Sequence, residues 1–181
     1  IVREPDSSAF ADFLSSIIRN DPKGLFDLIE LRMTLETQSA ALAARRSSRA
    51  GLQAIESAMA GMREAASLVA AGKDVAAAEL RFHAFDVQFH EAVATASGNR
   101  ILAHVFEAMT KPLRESFNLS YRGQTLRGTG REETLAAHQA VLDAIRAGDQ
   151  RAAAAAMREH LKNTELDIRS HLTSTRTGTG P

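Results

Sequence analysis

Residues 131–172 read REETLAAHQAVLDAIRAGDQRAAAAAMREHLKNTELDIRSHL, and this stretch decides the fold. It contains no proline, and alanine and leucine, the strongest helix formers, dominate it. Gly148-Asp149 interrupts it as a compact stop and restart. Thr129-x-x-Glu132 in front of it has the form of a capping box. Two helices joined by a tight turn follow, one to Ala147 and one to about Leu172.

The rest of the chain repeats this grammar. The 181 residues include 33 Ala and 18 Leu but only 7 Val, 8 Ile and one Tyr, a composition poor in strand formers. The prolines fall at positions 5, 22, 112 and 181, so long stretches lack a helix breaker. Helices are expected over about 8–20, 25–47, 52–70, 75–96 and 100–119 ahead of the hairpin. Gly72 suits the position after the third, Asp74 a cap on the fourth, and Pro112 a kink or restart in the fifth. Residues 118–130, NLSYRGQTLRGTG, are polar with three glycines and read as the longest internal loop, a candidate mobile lid. The fold class is all-α: an antiparallel bundle of six to seven helices.

Composition also excludes. Lys+Arg and Asp+Glu are 22 each, so the basic excess of a nucleic-acid-binding domain is missing. There is no cysteine, which removes disulfides and thiolate metal sites. No apolar run reaches the ~18 residues that span a bilayer, so no membrane partner and a cytoplasmic setting are expected. Residues 1–7 read as a linker and 173–181 as a disordered tail.

Chemistry concentrates on histidine, the commonest side-chain metal ligand. Asp86 and His90 are four apart and share a helix face. His138 stands ten residues before Gly148 and His160 eleven after Asp149. At the helical rise both lie roughly 15–17 Å from the turn, level with each other in an antiparallel hairpin. Three helices could therefore aim one carboxylate and three imidazoles at a single point, a set suited to Zn²⁺, Ni²⁺, Mn²⁺ or Fe²⁺. Independent histidines, each satisfied by hydrogen bonds, are the alternative. His83 shares the Asp86–His90 stripe; His104 and His171 find no partner by spacing.

Common catalytic motifs are missing. Ala94 occupies the place of the second histidine in a zinc-protease HExxH helix. No histidine has a glutamate three residues before it, as di-iron bundles require. There is no G-x-S-x-G and no phosphate loop. Arg32 and Glu36, four apart in LIELRMTLE, read as an exposed ion pair, or as an arginine reaching a cavity to grip a carboxylate.

Asp86-Val87-Gln88-Phe89-His90-Glu91-Ala92-Val93, followed by Ala96-Ser97-Gly98-Asn99-Arg100-Ile101-Leu102, resembles the ligand-binding FCD domain of FadR-type GntR transcriptional regulators. His138-Gln139-Ala140-Val141-Leu142-Asp143, Met157-Arg158-Glu159-His160-Leu161 and the Glu30–Glu36 helix match it too. The likeness runs over about residues 8–172. It implies a helical bundle around a polar cavity, with Asp86, His90, His138 and His160 holding a divalent metal, zinc first. It further implies a small carboxylate effector, with Arg32, Arg114 and Asn163 as its contacts. A homodimer and operator DNA are the implied partners. DNA would be bound through an N-terminal winged helix-turn-helix that would precede residue 1. No catalytic residue is implied. A metal-dependent hydrolase or lyase, and a purely structural module braced by the metal, are the rival readings.

Overall fold

The computed structural model describes residues 8–20 and 22–177; the linker expected over 1–7 and residues 178–181 lie outside them. Within those residues the chain forms seven helices and no strand. They are α1 (Ser8–Asn20), α2 (Pro22–Arg46), α3 (Arg49–Ala70), α4 (Val75–Ala96), α5 (Arg100–Arg127), α6 (Arg131–Arg146) and α7 (Gln150–Thr177).

Local chemistry sets most ends. Pro22 opens α2, where a missing N–H costs nothing. The Ser48 hydroxyl accepts from the Gly51 N–H at the start of α3. Asn99 caps α5 through the amides of Ile101 and Leu102. Gly148 takes φ 69° between α6 and α7, a left-handed turn that a Cβ would strain.

Two expected caps are absent. Gly130, in extended conformation, precedes α6 without a side-chain cap, and the Thr129 hydroxyl donates instead to the Gln124 carbonyl of α5. Asp74 adopts φ 44° and its side chain makes no cap bond.

Helix α4 is buried on more than one side. Phe82, Phe89 and Val93 pack with Ile55, Met59 and Met62 of α3 and with Val141 and Met157 of the α6–α7 hairpin. Val87, on another side of α4, joins Leu28 of α2 and Phe106, Met109, Leu113 and Phe117 of α5. Each such fully buried side chain contributes roughly 1.5–3 kcal/mol of transfer free energy. A helix apolar on two sides is enclosed on both, and the polar residues Asp86 and His90 are carried inside with it.

The largest departure from expectation is α5. It runs as one helix past Pro112 to Arg127, so residues 118–127 are helix and not a loop. Tertiary contacts explain this. Leu119 packs with Leu25, Ile29 and Ile168. Ser120 and Arg127 both donate to Asp167 of α7, at 3.3 and 2.6 Å. Gly123 rests against the Asp167 carbonyl, where any Cβ would collide. That glycine permits close helix approach instead of breaking the helix. At the other end, α7 extends to Thr177, past the expected start of the tail at 173.

Candidate metal centre

Helices α4, α6 and α7 bring His90, His138 and His160 together in the interior, with one ring nitrogen of each within 4.8 Å of the others. His90 Nε2 is 3.3 Å from His138 Nε2 and 3.3 Å from His160 Nε2. Asp86, one turn before His90, puts Oδ1 2.8 Å from His138 Nε2 and 3.7 Å from His90 Nε2. All four residues are buried. The level placement expected of His138 and His160 in their hairpin is realised, with ring centroids 4.3 Å apart.

Neighbours decide which nitrogens face inward. His138 Nδ1 is 2.8 Å from the Thr134 carbonyl oxygen. A carbonyl only accepts, so Nδ1 carries a proton, and in the neutral ring the lone pair of Nε2 turns toward the cluster. His90 Nδ1 touches Glu36 Oε2. A carboxylate also only accepts, and it directs the His90 Nε2 lone pair the same way. Asp86 Oδ1 is buried against His138 Nε2, at 2.8 Å.

With both rings neutral, three acceptor atoms face one another away from water, an arrangement that is repulsive by itself and that a cation relieves. The donor set fits a divalent metal of zinc type: imidazole nitrogens, one carboxylate, and partners outside the ligands that fix tautomer and ring orientation.

The charges agree. Burial opposes ionisation of Asp86, but His138, His90 and Arg32 more than offset it and hold its carboxyl below the ordinary range. Burial, with His138, His90 and Arg32 adding to it, holds the His160 imidazole well below its usual value. Glu36 is likewise opposed by burial, yet Arg32 and His90 bring it down to about 2.

Arg32 is not the exposed partner of an ion pair. It is completely buried, and its Nε donates to Glu36 Oε1 at 2.6 Å. Its guanidinium carbon lies 5.2 Å from the centroid of the Phe117 ring. Both terminal nitrogens, Nη1 and Nη2, are buried without a hydrogen-bond partner. Unpaired buried donors of this kind cost roughly 1–3 kcal/mol or more.

Two small polar cavities adjoin the cluster, each about 20 Å³, room for about one water molecule. The inner one is lined by Asp86, His83, Phe117, Ser120, Tyr121 and His160, among others. The outer one reaches Asn163, Glu133 and Asp167. His83 and Asn163 therefore reach the cavities. Arg114 does not: it is exposed, turned about 100° from the inward position of Leu113 on the same helix. The glutamates beside the ligands also point elsewhere. Glu91 accepts from the Thr110 hydroxyl at 2.9 Å, and Glu159 is exposed, 3.9 Å from Lys162.

Glu36 is the site residue that sequence reasoning missed. Its spacing from Arg32 was visible, but nothing local showed α2 laid against α4.

The model of the FCD domain matches residues 27–163. The chain is 30% identical over 148 residues to the "Putative L-lactate dehydrogenase operon regulatory protein" of Escherichia coli (strain K12), covering 82% of this chain and 53% of that protein. It is 29% identical over 165 residues to the "HTH-type transcriptional regulator LutR" of Bacillus subtilis (strain 168), covering 91% and 71%. A solved structure, Streptococcus agalactiae GntR, superposes with a TM-score of 0.59 at 26% identity, over 84% of this chain and 58% of that one. The chain thus spans about half the length of the first of these curated relatives. Both curated relatives are named as regulators.

Proposed function

The chain belongs to the FCD-domain family, and from that premise we propose that it is the effector-sensing part of a DNA-binding transcriptional regulator. In this reading Asp86, His90, His138 and His160 hold one divalent metal, zinc first and nickel, manganese or iron as alternatives. The observation that carries it is the convergence of His90, His138 and His160 with the Asp86 carboxylate in the buried interior.

Bound there, a divalent ion supplies Lewis-acid positions for an anionic ligand. With Arg32, Glu36 and Asp86 ionised and the imidazoles neutral, the loaded pocket carries one net positive charge, which favours an acid. The free Nη1 and Nη2 of Arg32 are the side-chain donors for its carboxylate, and Asn163 lines the outer cavity. One relative is named for an L-lactate dehydrogenase operon, so an acid of that size is the first effector to try.

Effector binding would favour one arrangement of the helices over another, and so alter DNA binding through an N-terminal domain. Operator DNA and a second copy of the chain are the proposed partners, in the cytoplasm where such DNA lies. No helix among the described residues is long and apolar enough to cross a membrane.

The test is metal stoichiometry by elemental analysis, together with a thermal-shift screen of small organic acids with and without chelator. One metal per chain and acid stabilisation that chelator abolishes are expected. Acids that stabilise equally after metal removal would overturn the metal-mediated reading.

A further inference from the structure

The inner and outer cavities share four lining residues, Gln124, Thr134, His160 and Thr164. Two of these are joined across helices: Gln124 Nε2 of α5 donates to the Thr134 hydroxyl of α6 at 2.8 Å. The bond therefore lies on the boundary between the metal-side cavity and the one lined by Glu133, Asn163 and Asp167. Each cavity separately has room for about one water molecule.

We infer that the Gln124–Thr134 hydrogen bond is a partition that sets the length of acid the site accepts. The inference rests on the proposed acid-binding role of the inner cavity. A two-carbon acid held at the metal reaches least far toward the outer cavity and leaves the partition closed. An acid of five or six carbons must extend into the outer cavity, and its chain takes the place of the bond.

The outer walls define what such a chain carries. Gln124, Asn163 and Thr164 are polar and suit a hydroxyl. Glu133 disfavours a second carboxylate, while Asp167 is already paired with Arg127. The long ligands that fit are ω-hydroxy monocarboxylates, not dicarboxylates.

Gln124 and Thr134 act as specificity residues, and Thr134 has a second part. Its carbonyl holds His138 Nδ1 while its hydroxyl closes the partition, so the length of the bound acid and the setting of a metal ligand meet on one residue.

The experiment is calorimetric titration of the zinc-loaded chain with glycolate, 4-hydroxybutyrate, 6-hydroxyhexanoate and adipate. Wild type should prefer glycolate. Gln124→Ala should improve 6-hydroxyhexanoate relative to glycolate by ~2–10-fold, the worth of one net hydrogen bond, and should leave adipate weak. Thr134→Val, nearly isosteric and keeping the carbonyl, should move the same ratio in the same direction. A ratio unchanged in both folded variants overturns the partition while leaving acid sensing standing. A large gain for adipate overturns the assignment of the outer cavity. Zinc-loaded wild type that binds none of the acids overturns both the partition and the acid-sensing reading.

Discussion

His138 Nδ1 and the carbonyl oxygen of Thr134, one turn earlier on α6, lie 2.8 Å apart. This contact fixes the tautomer of the imidazole and aims Nε2 at Asp86 and His90. Glu36 does the same for His90 from another helix. The proposed metal centre is thus set by its supporting contacts as much as by its ligands, and the first prediction tests them.

Glu36→Gln removes the carboxylate behind His90 without touching a proposed ligand. It should weaken zinc binding by about 10–100-fold, the usual effect of losing such a partner. His138→Ala should abolish binding at the same zinc concentration. A competition titration against a chromogenic chelator reads both; an unchanged Glu36→Gln affinity would show that the Glu36–His90 contact does not position the ligand.

Arg32 and Glu36 form a fully buried pair. Arg32→Met leaves a buried carboxylate without its main counter-charge and should cost about 3–5 kcal/mol. The double variant Arg32→Met/Glu36→Gln should recover much of that loss. Urea unfolding of the four proteins gives the coupling energy, and additive effects would contradict the pairing.

The same pair predicts an acid dependence. The folded-state value of Glu36 is about 2, below its ordinary 4.5. Ionised Glu36 therefore stabilises the fold above pH 4.5, and that contribution disappears as pH falls toward 2. It amounts to something of the order of 3 kcal/mol. In chelator, the stability gap between wild type and Glu36→Gln should close on acidification from pH 6 to 2.5. A gap that stays constant over that range contradicts the assignment.

Gly123→Ala distinguishes a packing glycine from a loop glycine. In an open helix the change gains up to ~1 kcal/mol. Against the Asp167 carbonyl it should instead destabilise by about 1–3 kcal/mol, the range for overpacking. Thermal unfolding gives the sign directly, and a rise in Tm would refute the close approach of α5 and α7.

Much of this molecule was legible in one dimension. Alanine and leucine content, the spacing of prolines and the Gly148-Asp149 turn placed α1, α3, α4 and α6 close to their observed bounds, because helix propensity and turn chemistry are local. Asp86 and His90 shared a face by periodicity, and a three-residue connection forced His138 and His160 level. What propensity could not see was the end of α5. Polar residues with glycine read as loop until Ser120, Gly123 and Arg127 met Asp167 on another helix.

The sequence by itself determined the helices, the turn between the last two, and the face and height of each candidate ligand. Only the tertiary structure decided that Arg32 is buried with two unpaired nitrogens, that Glu36 backs His90, and that Arg114 faces solvent. The physical reason is that helical periodicity fixes a side chain's angle about its own axis. Which neighbouring helix that angle meets, and how much water remains between them, depends on packing among segments far apart in the chain.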